Sequence, residues 1–214
     1  MKLSSIIIQC IVCIYPVAAM SQNTDGNAII EKTAHIYNEW GGMEVAYAAN
    51  ITSEKNAISQ SFEGSLLMKN DKFLLKMPDM TVWFDGKTQW SYMLQNKEVS
   101  LSTPSNDELR YLNPLIILRD YKKDFNVSFI GESTSSNAKS AYDIMLIPKK
   151  KDDIEKLEMQ IEKNNSLPVK LVVTMRNDMR IVVSIKEIKA NTSPDNTFTF
   201  PENDYPGVEI IDLR

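Results

Sequence analysis

Cysteine is the first absence. The chain has two, Cys10 and Cys13, and both fall inside an N-terminal apolar run. The remainder has no disulfide and must be held together by its core. Histidine is down to one, His35. With no cysteine beyond the N-terminal run to partner it, a metal site or a histidine-based triad is not expected. Only seven glycines are present, and none forms a phosphate-cradling loop. Positive charge is in deficit, with 24 Lys and Arg against 28 Asp and Glu. That balance argues against a nucleic-acid partner and against a basic membrane-docking surface. The acids form no ordered pair, and Lys149-Lys150-Lys151 is most simply a solvated turn. No catalytic constellation is found, so the chain is expected not to be an enzyme and to need no cofactor or metal.

What is there begins with an export signal. Lys2 supplies a positive start, residues 6–14 an apolar stretch, and Tyr15-Pro16 its end. Val17-Ala18-Ala19-Met20-Ser21 carries the small residues of a cleavage site, and cleavage after Ala19 or after Ser21 fits. The stretch is short for a spanning helix, contains Gln9 and breaks at Pro16. Gln9 also stands where a lipid-attachment cysteine at Cys10 would need a small residue. Residues 1–21 are therefore assigned as a cleaved signal peptide and 22–214 as one exported, monomeric domain of the periplasm.

That domain opens on a helix. Asn23-Thr24-Asp25 offers caps, and Ile29, Ile30, Thr33, Ala34, Ile36, Tyr37 and Trp40 recur at helical spacing until Gly41-Gly42. Alternation then takes over from Met43 to Leu101 and predicts about six antiparallel strands. Among them, Asp85-Gly86 predicts a type I′ hairpin turn. Ser105 followed by Glu108 is a capping box, and Pro114 splits the helix it starts into two short pieces or one kinked one. Five more strands follow between Phe125 and Ile188, with residues 131–140 as a polar loop, and residues 198–214 supply a short closing strand. The fold class is mainly β with some helix (α+β): an unclosed antiparallel barrel of about eleven strands, its mouth covered by helix.

Apolar mass is the other surplus. Residues 112–118, LNPLIIL, form the most apolar stretch after the signal and must be covered. Of eleven methionines only Met1 and Met20 leave with the signal, and methionine lines adaptable apolar space. The expected cavity wall is Tyr47, Leu66, Met68, Phe73, Leu75, Trp90 and Tyr92, with Trp90 and Tyr92 facing a lid made of Leu112, Pro114, Ile116, Ile117 and Leu118.

Four stretches carry a resemblance. They are Asp85-Gly86-Lys87-Thr88-Gln89-Trp90-Ser91-Tyr92, a DGK-x-x-W-x-Y hairpin; the apolar segment from Asn113 to Leu118; Phe198-Thr199-Phe200-Pro201, a closing-strand motif; and the ending PGVEIIDLR. In that order they resemble the LolA-type periplasmic lipoprotein carriers over nearly all of the exported chain, the ending being similar to LolA-like proteins of Bacteroidetes. The resemblance implies an unclosed antiparallel β-barrel with a helical lid. It implies a carrier that accepts acylated lipoproteins from an inner-membrane ABC lipoprotein-release transporter and shuttles them to the outer membrane, the acceptor there being left open. The alternative on the same fold is a sensor or regulatory lipid-binding protein that binds a membrane signalling partner. Proteobacterial members latch the lid with an arginine in a K-R-P motif; Met68-Lys69-Asn70-Asp71-Lys72 stands there instead, without arginine. The task is physically demanding: at about 0.8 kcal/mol per CH₂, a sixteen-carbon chain in water costs on the order of 12 kcal/mol.

Overall fold

Helix α1 (Gly26–Trp40) starts the computed structural model, which describes residues 25–214 apart from the side chains of Asp107, Tyr111, Leu112, Pro114, Arg119 and Asp120. The expected signal peptide, 1–21, lies outside the described residues. Asp25 is the cap: its carboxylate accepts from the Asn27 amide at 2.9 Å. Gly41 ends the helix at φ 66°, the left-handed region glycine enters without a Cβ clash. Ile29 and Ile30 form the buried face.

The first meander is β1 (Met43–Ser53), β2 (Ile58–Lys69), β3 (Lys72–Lys76), β4 (Met80–Phe84), β5 (Gln89–Met93) and β6 (Glu98–Ser102). A helical insert follows: α2 (Asn106–Leu112), a 3-10 turn (Pro114–Ile116) and α3 (Ile117–Asp124). The second meander is β7 (Phe125–Thr134), β8 (Ser140–Pro148), β9 (Ile154–Glu162), β10 (Pro168–Met175) and β11 (Arg180–Ala190), with β12 (Glu209–Asp212) at the end. All belong to one sheet in the order β12-β6-β5-β4-β3-β2-β1-β11-β10-β9-β8-β7. The meanders are joined along β1 and β11, paired from Met43 opposite Ala190 to Thr52 opposite Arg180 with one bulge between Ala46 and Tyr47. The edge strands β12 and β7 do not pair, so the barrel is unclosed.

Four details depart from the sequence expectation. The described residues form twelve strands, and the expected closing strand, β12, pairs parallel to β6 in an otherwise antiparallel sheet. Phe198 and Phe200 lie in no strand; Asp195–Phe198 is a 3-10 turn. The polar loop shrinks to residues 135–139, because β7 and β8 extend through Thr134 and from Ser140. The hairpin between β4 and β5 stands, but its turn is not type I′. Only Gly86 has positive φ there, at 100°, while the Asp85 carboxylate accepts from the Lys87 and Thr88 amides at 2.8 and 2.7 Å.

The period of two divides the first meander between two cores. On the inner face, Val45, Tyr47 and Ala49 of β1 sit with Leu66 and Met68 of β2, Phe73 and Leu75 of β3, and Val82 and Phe84 of β4. That cluster continues through β8, β9, β10 and β11 to α1 and the insert. The outer face carries an unbroken cross-strand row in which Leu67 opposes Leu74, Leu74 opposes Trp83, Trp83 opposes Trp90 and Trp90 opposes Leu101. Phe198, Phe200, Tyr205 and Val208 of the C-terminal segment cover it. Trp83 meets Phe200 edge-on at 5.3 Å between centroids, and Tyr92 meets Tyr205 at 4.8 Å.

Trp90 and Tyr92, expected on the cavity wall, thus belong to the outer core and do not face the insert. Their side of β5 follows from register: Ser91 opposes Val82 and Gln89 opposes Phe84, so the small polar residues face inward and the aromatics outward. Asp195 pins the covering segment through Lys69 at 2.7 Å and Lys72 at 2.6 Å. Hydrogen bonds from those two ammonium groups lower its carboxyl to about 2.

Candidate functional site

The insert leaves the sheet from β6, next to one edge, and returns as β7, the opposite edge. A chain joining those margins must cross the open side of the barrel. Its first helix is fixed by the predicted capping box. The Ser105 hydroxyl accepts from the Glu108 amide at 3.3 Å, and the Glu108 carboxylate accepts from the Ser105 amide at 2.7 Å. Those bonds from Ser105 lower the Glu108 carboxyl. Pro114 cannot donate back into α2, and the chain restarts as a 3-10 turn and α3.

Leu115, Ile116, Ile117 and Leu118 are all buried in the inner core. Arg110 of α2 joins the two ends of the insert to the sheet: its guanidinium donates to Asp124 at the end of α3 and to Asp152 between β8 and β9, the latter at 3.2 Å. It also lies over the Phe125 ring at 5.5 Å. On the other flank, Tyr121 donates to the Asn27 carbonyl of α1 at 3.2 Å and Lys122 pairs with Glu31 at 3.0 Å. Lys69, at the K-R-P position, takes no part; it is engaged with Asp195 and the Ser193 carbonyl.

Between the insert and the inner face lies an apolar cavity of about 120 Å³. β1 contributes Val45, Tyr47, Ala49 and Ile51, β2 Phe62 and Leu66, β3 Leu75, and Met77 follows β3. Leu171 comes from β10, Ile181, Val183 and Ile185 from β11, and Asn113 and Leu115 from the insert. None of these side chains is charged. Burial pushes the Tyr47 phenol up to about 12, so it too stays neutral at any physiological pH. Tyr47 lies over Gly64 of β2, where an added Cβ would fall 2.5 Å from the hydroxyl and 2.6 Å from Cζ. Glycine is required at that close approach. A pocket for a drug-sized ligand holds roughly 300–1,000 Å³. The cavity is smaller than that range.

A larger groove of about 660 Å³ separates α1 from α3, but Glu31, His35, Asp71, Lys122 and Lys123 line it and it opens to solvent. An alkyl chain there would remain wet, and the smaller apolar space is the better candidate.

Of the expected residues, Tyr47, Leu66 and Leu75 line the cavity. Met68, Phe73, Ile116, Ile117 and Leu118 are buried in the core around it without lining it. Leu112 closes α2 and Pro114 opens the 3-10 turn, but their side chains lie outside those described. Trp90 and Tyr92 are on the other face. The β11 wall was missed, because its place beside β1 depends on a pairing across more than a hundred residues. Its alternation of Ile181, Val183 and Ile185 was visible, and the β1–β11 register converts it into a cavity wall.

A family model described as "Outer membrane lipoprotein carrier protein LolA" matches residues 17–177. No curated protein sequence matches. Among solved structures, an uncharacterized conserved protein from Thermus thermophilus superposes with a TM-score of 0.54 at 9% identity, covering 87% of this chain and 98% of that one. A LolA-superfamily protein from Nitrosomonas europaea gives 0.50 at 12% identity, over 84% and 99%. These two share the fold. With an unclosed sheet, a helical insert across its open side and a family match over most of its length, the chain belongs to the LolA outer membrane lipoprotein carrier family.

Proposed function

We propose that the protein is a periplasmic carrier that holds the acyl chains of lipoproteins in the cavity under the insert and moves them from the inner to the outer membrane. The observation that carries this is the cavity itself: among the described residues its lining has no charged side chain, and it is covered by a segment that polar contacts tie to the sheet and to α1. Apolar walls offset the cost of keeping an alkyl chain from water. No bond is made or broken in this task, so the protein acts as a binding partner and not as an enzyme. An ABC transporter of the inner membrane would load it, and residues 1–21 would direct export.

Native mass spectrometry of the delipidated protein with a dipalmitoyl-glyceryl-cysteine peptide tests it. A one-to-one complex that the non-acylated peptide cannot form is expected. Failure to retain the acylated peptide, or equal retention of both, would remove the carrier function.

A further inference from the structure

Among the described residues, two buried side-chain atoms lack a hydrogen-bond partner: Asn113 Nδ2 and Gln89 Oε1. Gln89 faces inward from β5 and its amide donates to Ser91 Oγ at 3.0 Å, but it does not line the cavity. Asn113 does, and it is 1% exposed.

The orientation of the Asn113 carboxamide is determined by its neighbours. The Leu115 backbone amide donates to Oδ1 at 3.2 Å. A donor must meet the oxygen, so the amide cannot be flipped, and its two N–H groups face elsewhere. The backbone of Asn113 is separately occupied: its amide donates to the Leu109 carbonyl and its carbonyl accepts from the Ile116 amide. What is left over is a buried pair of N–H donors on a residue that lines the cavity beside Val, Ile, Leu, Met and Phe side chains. A buried donor without an acceptor is costly, and an aliphatic residue would fill the space without that cost. Water is a poor remedy, because a bound water needs two to four polar partners and, among the described lining residues, the polar side chains are Asn113 and Tyr47.

We propose that Asn113 is the polar anchor of the cavity, donating a hydrogen bond from Nδ2 to the carbonyl oxygen of an ester- or amide-linked fatty acyl chain. This rests on the acyl-carrier function proposed above and adds which atom of the cargo is recognised. The placement has a direction. Asn113 belongs to the insert, whereas the apolar wall runs along β1 from Val45 to Ile51, about 20 Å at the rise of an extended strand. The carbonyl end of the chain is held at the insert and the hydrocarbon lies along β1 and β11. A bare hydrocarbon fits the same walls but leaves the donor unmet, and an ether oxygen meets it with a weaker acceptor than a carbonyl. The anchor therefore discriminates acyl from alkyl lipids.

The test uses three probes on the delipidated protein: a dipalmitoyl ester lipopeptide, its dihexadecyl ether analogue and an N-palmitoyl peptide. The wild type is expected to bind the ester roughly two- to tenfold more tightly than the ether, the range for one buried hydrogen bond. In Asn113→Leu that ratio should fall to about one, through loss of ester affinity. A second readout needs no variant: isotope-edited infrared spectra of a ¹³C=O palmitoyl ester bound to the wild type should show the carbonyl stretch displaced to the hydrogen-bonded position. The N-palmitoyl peptide separates ester from amide cargo, since the better anchored carbonyl shows the larger displacement. Equal binding of ester and ether by the wild type, or a carbonyl stretch at its dry value, overturns the anchor while leaving the carrier function standing. If no probe binds, both fall.

Discussion

Ile117→Asp separates the insert from the sheet. Ile117 is 2% exposed in the inner core, and with Leu115, Ile116 and Leu118 it supplies the buried surface that holds the insert down. At about 1.5–3 kcal/mol per buried aliphatic side chain, those four residues contribute at most about 6–12 kcal/mol. Losing the isoleucine removes about 2 kcal/mol of that. Keeping an aspartate in the same place requires it to be neutral. At pH 7, some three units above its ordinary pKa of about 3.9, protonating it costs about 4 kcal/mol at 1.36 kcal/mol per unit. The total, about 6 kcal/mol, reaches the lower end of the holding energy. The sign of the pH dependence follows. The acid's pKa is raised in the closed state, so the penalty is present above about pH 4 and vanishes below it. The variant should be open at pH 7 and closed near pH 4. Hydrogen exchange read by mass spectrometry, corrected for the intrinsic pH dependence of exchange, should show protection lost across residues 106–124 at pH 7 and regained near pH 4. Peptides from β1 and β11 should stay protected throughout, and acyl-peptide binding at pH 7 should be weakened. Loss of protection in the sheet together with the insert would refute the idea that the insert is a separable cover. Unchanged acyl binding with an exposed insert would remove it from the site.

Gly64→Ala should destabilise the protein by about 1–3 kcal/mol, seen as a lower denaturant midpoint, because the new methyl meets the Tyr47 ring and also the Lys76 carbonyl at 2.6 Å. Phe198→Ala, at a fully buried position of the outer core, should cost about 3–5 kcal/mol while leaving acyl-peptide affinity unchanged; a parallel loss of affinity would show that the two cores are coupled. Asp195→Asn should lower the thermal midpoint by a small amount at neutral pH. The folded-state pKa of Asp195 is depressed to about 2 by Lys69 and Lys72, so its contribution is present above the ordinary carboxylate value and lost as pH falls toward 2. The gap between wild type and variant should close over that interval.

Local signals carried most of the fold. Asp25, Gly41 and the Ser105–Glu108 box mark the helix ends in the sequence, and all three do so in the structure. The alternation of β1 to β11 was legible for the same reason: side chains two apart share a face. What alternation cannot supply is which face is inside. On β5 the large aromatics point outward because residues 198–208, a hundred positions later, bring Phe198, Phe200 and Tyr205 to cover them. The cavity was half visible for the same reason. Tyr47, Leu66 and Leu75 lie within one meander, whereas Ile181, Val183 and Ile185 become their neighbours only through the β1–β11 register. In the sequence Asn113 reads as part of an Asn-Pro break; its unmet donor exists only once the core closes around it.

The two ends of the insert are not equivalent. At the β6 side, residues 103–105 separate the strand from α2, whereas α3 ends at Asp124 and β7 begins at Phe125 with nothing between. A strap fixed to both margins of a sheet cannot swing away like a flap; it can only bow. Residues 103–105 provide slack of at most about 10 Å when extended, and the α3–β7 junction provides none. Any lifting is therefore lopsided, with the α2 end free to travel further than the α3 end.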